Sequence, residues 1–172
     1  MDASVYVNAW WNGAALDRLI DARHAQVVDA VVPILAAEHW QPITEFTFAE
    51  FSERGSIDVF AGHDVSHSVF VGEAKTEWGS IEETLRRLHI KARLAPKLGR
   101  DAFGWQPTAV GAALIFPEDR TARRVAQRFA ATLDASLPAH SRDVRRWIHE
   151  PSGSIRGVWF LTDASYARIS RK

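Results

Sequence analysis

The chain of 172 residues contains no cysteine. That excludes disulfides, a thiol nucleophile and thiolate metal sites. No run approaches the ~18 consecutive apolar residues of a membrane-spanning helix, so no membrane partner is expected. The opening Met-Asp-Ala-Ser lacks the basic and apolar regions of a secretory signal, and the expected location is the cytoplasm. Stock catalytic motifs are missing as well. There is no G-x-x-x-x-G-K-[ST] loop, no G-x-G-x-x-G, no G-x-S-x-G and no H-E-x-x-H. Internal repeats and low-complexity tracts are absent.

What is present is ordinary for a globular protein: 47% apolar and 24% charged residues. The length suits one domain over 1–172, with a lead-in at 1–20, a core at 23–116 and a C-terminal extension at 117–172. The net charge of zero hides an asymmetry. Residues 1–85 hold 14 acids and 4 bases, whereas 86–172 hold 7 acids and 17 bases. Either this reflects solvated surfaces alone, or an acidic half collects a cation while a basic half faces phosphates.

Val5 to Gly13 is an apolar lead-in, and Ala14–Ile20 reads as a short helix. Over 23–39, Val27, Val28, Val31, Ile34 and Leu35 fall on one helical face, with Pro33 expected to kink or restart the helix. Three strands follow: Pro42–Phe48, Ile57–Ala61 and Ser68–Gly72, with a turn at Glu53-Arg54-Gly55. Ser80-Ile81-Glu82-Glu83 is a capping box ahead of Ile81, Leu85, Leu88, Ala92 and Ala95, and Pro96 is expected to end that helix. A buried strand at 109–116, a helix from Pro117 to Pro138 and a strand at Ile155–Leu161 complete the chain. The order αβββαβαβ predicts a mixed sheet flanked by helices, an α+β arrangement within the α/β class.

His63-Asp64-x-x-His67 has metal-like spacing but lies in an expected loop with no third ligand in sequence. A stronger constellation is Asp58 in the second strand with Glu73-Ala74-Lys75 ending the third. In an extended chain Glu73 and Lys75 share a face, and the apolar Val69-Phe70-Val71 before them buries the sheet where they emerge. The bland alternative is a strand end with a lysine–glutamate pair.

Asp58 and Glu73-x-Lys75, on these elements and in this order, resemble the PD-(D/E)xK nuclease superfamily, which includes many restriction endonucleases. The resemblance covers roughly 20–161. The stretch through Glu45, Phe46, Arg54-Gly55-Ser56-Ile57-Asp58 and Glu73-Ala74-Lys75-Thr76 to Leu88–Pro96 also resembles uncharacterised actinobacterial nuclease-like domains, some preceded by a helix-turn-helix. The resemblance implies a restriction-endonuclease-like αβββαβ core, here with an additional C-terminal helix and strand. It implies Mg²⁺, with Mn²⁺ as substitute, on Asp58, Glu73 and the carbonyl of Ala74, and Lys75 beside the attacking water. Residue 57 is Ile where the family motif has Pro. The family often adds an acid from the first helix or strand. Asp29, Glu38 and Glu45 compete, and a turn at 51–54 would put Glu45 diagonally across from Asp58, which favours Glu45. The alternative for Glu45 is a buried carboxylate with a structural partner.

Arg120, Arg124 and Arg128 recur every four residues, and basic groups at Arg86, His89, Arg93 and Lys97 recur at spacings of three and four. These stripes are either solvated faces or phosphate contacts. Trp78, just beyond Lys75, is a candidate stacking residue, with core packing as its alternative. The expected function is a metal-dependent nuclease domain acting on nucleic acid, DNA in preference. The alternatives are a catalytically silent binding or regulatory module, or an assembly module. A homodimer, the basic stripe against the acidic half of a second copy, and a helix-turn-helix partner domain are the associated partner expectations.

Overall fold

The computed structural model describes the backbone of residues 13–162 and the side chains of 21–162; the lead-in at 1–12 lies outside the described residues. Five strands form one mixed sheet in the order β1-β2-β3-β4-β5. They are β1 (Gln41–Glu50), β2 (Glu53–His63), β3 (Ser68–Ala74), β4 (Ala109–Pro117) and β5 (Ile155–Leu161). The first three pair antiparallel; β3, β4 and β5 run parallel. Helix α1 (Gly13–Ala37) and α5 (Ser141–His149) pack on one face. Helix α2 (Ile81–Phe103), α3 (Arg120–Arg128) and α4 (Ala130–Ser136) pack on the other. Among the described residues, no helix is long and apolar enough to cross a membrane.

The two internal prolines do not end their helices. Helix α1 is continuous through the segment expected as a separate short helix and through Pro33. Pro33 lies on the exposed side, so the Asp29 carbonyl it leaves without a partner can be hydrated, while Val27, Val28, Val31 and Leu35 stay buried. Helix α2 is capped as expected, Ser80 Oγ accepting from Glu83 N at 3.3 Å, but continues past Pro96 to a left-handed Gly104. Packing outweighs the proline there. Gly99 lies so close to β3 that a Cβ would sit 2.6 Å from Val69 Cγ1, and Leu94, Ala95 and Leu98 are buried around it.

Three boundaries also move. Residues 53–55 belong to β2, and the turn is the shorter Phe51-Ser52, with Phe51 at φ 55°. The expected single helix over 117–138 breaks at Phe129 into α3 and α4. Helix α5 was not expected, although Val144, Trp147 and Ile148 carry its helical spacing and are buried. Trp147 fills the space over Gly111 on β4, where a Cβ would lie 2.4 Å from its ring. Gly111→Ala should therefore cost about 1–3 kcal/mol through overpacking. Urea denaturation checks this, and an unchanged midpoint would show that the ring can step aside.

Candidate functional site

The pairing of β2 with β3 stops at Val59↔Gly72, leaving the next residues, Asp58 and Glu73, opposite each other beyond the ladder. The backbone N–H of Ala74 points into this gap and donates to Asp58 Oδ2 at 2.7 Å. On the other side of β2, the ladder with β1 runs through Thr44↔Val59 and Phe46↔Ile57 and skips Glu45 and Asp58. Glu45 has φ 51°, a backbone region costly for a non-glycine residue. Ile57 and Val59, which would share a face in a regular strand, pack in the clusters of opposite faces. The strand thus turns over at Asp58. Because the turn is shorter than expected, Glu45 sits directly rather than diagonally across from Asp58.

Around Asp58, His24 of α1 completes a group of three. His24 Nε2 is 3.7 Å from Asp58 Oδ1 and 3.8 Å from Glu45. One donor atom from each of the three lies within 4.8 Å of the others. The competing acids are elsewhere: Glu38 bonds His149 at 2.8 Å, and Asp29 is exposed.

Among the described residues, Glu73 is the one buried ionisable group. Its Oε2 meets Lys91 Nζ of α2 at 2.5 Å, and its Oε1 is buried with no hydrogen-bond partner among the described residues. Burial and then the Asp58 charge push the carboxyl up to about 7, against the pull of Lys91 and, more weakly, Lys75. Lys75 follows β3, its backbone N–H donating to Ile115 at 2.8 Å, and its ammonium has no carboxylate within salt-bridge distance among the described residues. Glu73 and Lys75 line one cavity of about 200 Å³ together with Ser80, Glu83 and Arg87. Asp58 is not among its lining residues. It reaches the site through the Ala74 N–H and through its charge on Glu73.

No family model matches the chain, no curated protein matches it and no solved structure matches it. The chemistry of the site therefore follows from its own geometry. When Glu73 is ionised, its oxygen left without a donor in this buried site is an acceptor for a cation. The carboxylates and one imidazole around Asp58 form a donor set that suits a small divalent ion. Donors around such an ion are separated by about 3.0–3.4 Å, from bond lengths of about 2.1 Å, so each of the two His24 contacts would have to shorten by about half an ångström for the imidazole to share an ion with Asp58 or Glu45.

His24 and Lys91 were not identified from the sequence. Each carried a signal: a polar residue at i−3, i−4 and i−7 from buried Val27, Val28 and Val31, and a lysine between Leu88 and Ala95 on a buried stripe.

The other candidates have structural partners or open surfaces. In the 63–67 loop, Asp64 accepts from Gln41 and Trp105, and His67 stacks on Trp105 at 5.1 Å. Trp78 donates to the Ala122 carbonyl and stacks on Phe116. On α2, Arg86 is held by Glu83, Arg93 lies 3.9 Å from Glu53, and Lys97 bonds Glu50 and Asp101. The charge asymmetry along the chain is thus partly cancelled in space, since the α2 bases meet acids of β1 and β2. Arg120, Arg124 and Arg128 are exposed on α3 with no carboxylate partner among the described residues.

Proposed function

We propose that the protein is a metal-dependent nuclease that hydrolyses phosphodiester bonds of nucleic acid, DNA first, on a restriction-endonuclease-like core. The element order α1-β1-β2-β3-α2-β4 supports this reading, because it repeats the αβββαβ order of that family. The observation that carries it is the buried Glu73, opposite Asp58 and sharing a cavity with Lys75, where neither Glu73 Oε1 nor the Lys75 ammonium has a partner among the described residues.

Asp58 and Glu73 would hold Mg²⁺ or Mn²⁺, with His24 and Glu45 beside the second oxygen of Asp58. The imidazole makes Mn²⁺ the better fit. When bound, the ion polarises the phosphoryl group and lowers the pKa of a coordinated water. Lys75 places a fixed positive charge where negative charge accumulates on the phosphate oxygens. The Ala74 N–H orients Asp58 so that Oδ1 stays available. Burial of Glu73 keeps bulk water from competing for its oxygen.

One observation favours the second reading, a silent module. Lys91 already supplies Glu73 with a cation at 2.5 Å. Purified protein is to be incubated with supercoiled plasmid, linear duplex, single-stranded DNA and RNA, with Mn²⁺, Mg²⁺ or EDTA. Cleavage with metal and none in EDTA is expected. Retained binding with no cleavage under any metal would establish the silent module.

A further inference from the structure

We propose that the groove between α1 and α5 is a second anion site, outside the cleavage chamber, that grips backbone phosphates of the nucleic-acid substrate. The identity of the polyanion rests on the nuclease reading; the site itself rests on different residues. Burial of Val144, Trp147 and Ile148 fixes the rotation of α5 and turns Arg142, Arg145 and His149, at i, i+3 and i+7, to the opposite side. These three, with Arg123 and Arg146, line a cavity of about 500 Å³ whose apolar part comes from Ile34, Ile148 and Phe160.

Its charges are unequally satisfied. Arg123 is paired with Glu118 and lies over the Phe160 ring at 4.5 Å. Arg146 is 3.9 Å from Asp143, and His149 is bonded to Glu38. Arg142 and Arg145 are exposed and have no carboxylate partner among the described residues. Two guanidiniums without a carboxylate among the described residues, beside three basic groups already matched by Glu118, Asp143 and Glu38, leave the groove with surplus positive charge that selects an anion, and the planar fork of arginine suits phosphate oxygens.

The location favours a phosphodiester chain over a free small anion. Strands β3, β4 and β5 run parallel, so their C-terminal ends share one edge of the sheet. Lys75 follows β3 at that edge, and the groove begins there with Phe160 and Thr162 at the end of β5. Two strand spacings put these ends about 10 Å apart. A nucleic-acid strand, with a charge about every 3.4 Å, covers that distance in about three nucleotides. The chamber is walled by α2 and the arginines stand on α5, across the sheet, so a strand that meets both passes over this edge and spans more than those three nucleotides.

The test is a salt titration of oligonucleotide binding by fluorescence anisotropy, in EDTA so that nothing is cleaved, on wild type, Arg142→Ala/Arg145→Ala and Arg142→Lys/Arg145→Lys. Circular dichroism melts confirm that the variants are folded. At about 0.1 M salt the alanine pair should bind about tenfold more weakly. Its log–log salt slope should fall by about 1.8 for duplex or about 1.4 for single strand, because two phosphates are no longer neutralised. The lysine pair should keep the wild-type slope because it keeps the charges. Each single alanine variant should take half of the change, which serves if the double variant does not fold. An unchanged slope in the alanine variants overturns the groove even if the wild type cleaves DNA. Loss of binding in the alanine pair, with no cleavage by wild type, upholds the groove and removes the nuclease reading. A wild type that binds inorganic phosphate by calorimetry, loses it in the alanine pair and binds no oligonucleotide overturns the proposal in favour of a small anion.

Discussion

Lys75→Ala should lower metal-dependent cleavage about a thousandfold while leaving stability within about 0.5 kcal/mol of wild type. The expectation comes from the position of the side chain. It is half-buried at the end of β3, shares the cavity with Glu73, and its ammonium pairs with no carboxylate of the described residues. Nothing in the core depends on it, so its removal should cost little stability. A fixed charge at a reacting phosphate is worth about 10²–10³ in rate where comparable groups have been removed, and on the proposed nuclease reading Lys75 would supply that charge. Asp58→Asn should be similarly inactive for a different reason. It keeps an acceptor for the Ala74 N–H at 2.7 Å but loses the charge that would hold a divalent ion on the proposed reading. Asp58→Ala should in addition lose about 1–3 kcal/mol, because that buried N–H is left unpaired. Single-turnover cleavage and manganese binding by calorimetry separate the two roles. Lys75→Ala should bind manganese as wild type does, and Asp58→Asn should not. Full activity in Lys75→Ala would place the chemistry elsewhere.

The sequence carried the parts of this site that rest on local patterns. Ser80 before an apolar stripe is a local signal, and Ser80 caps α2 as expected. The buried strands 109–116 and 155–161 carry their own apolar runs. Glu73-x-Lys75 relies only on strand alternation, and the structure puts both residues on one cavity. What was not legible depends on long-range partners. The overturn of β2 at Asp58 arises because Glu45 and Asp58 both leave the ladder at one level, which no single-strand period reveals. Pro33 and Pro96 are tolerated because of exposure in one case and packing on β3 in the other. His24 and Lys91 sit 34 and 18 residues from the acids they approach, and only the folded sheet brings them there. On the α2 stripe, the pairs Arg86–Glu83 and Lys97–Asp101 are local and legible along the helix, whereas Arg93 and Lys97 also meet Glu53 and Glu50 of the strands, which only the fold shows.

Lys91 offers the sharpest test of how the fold holds a carboxylate in its core. Lys91→Met keeps the aliphatic stem and removes the ammonium 2.5 Å from Glu73 Oε2. A buried charge stripped of its partner costs about 3–5 kcal/mol, so the variant should be destabilised by about that much at pH 8. At pH 5 most of the loss should disappear, for the following reason. Glu73 in the folded protein already titrates near 7, above its ordinary value of 4.5, chiefly from burial and then from Asp58. Between those two values the native state keeps a proton that the unfolded chain releases, so stability falls as pH rises through that window. In wild type the fall is of the order of 3 kcal/mol, from 1.36 kcal/mol per unit over about 2.5 units. Without Lys91 the carboxyl moves further up, the window extends above pH 7, and the fall grows. Lys91→Met/Glu73→Gln should flatten the pH dependence and recover most of the lost stability, since neither a buried anion nor an unpaired ammonium remains. Urea denaturation at pH 5 and pH 8 on the wild type, both single variants and the double variant closes the cycle. Equal destabilisation of Lys91→Met at the two pH values would mean that Lys91 acts through packing and that its charge contributes nothing to holding Glu73 in place.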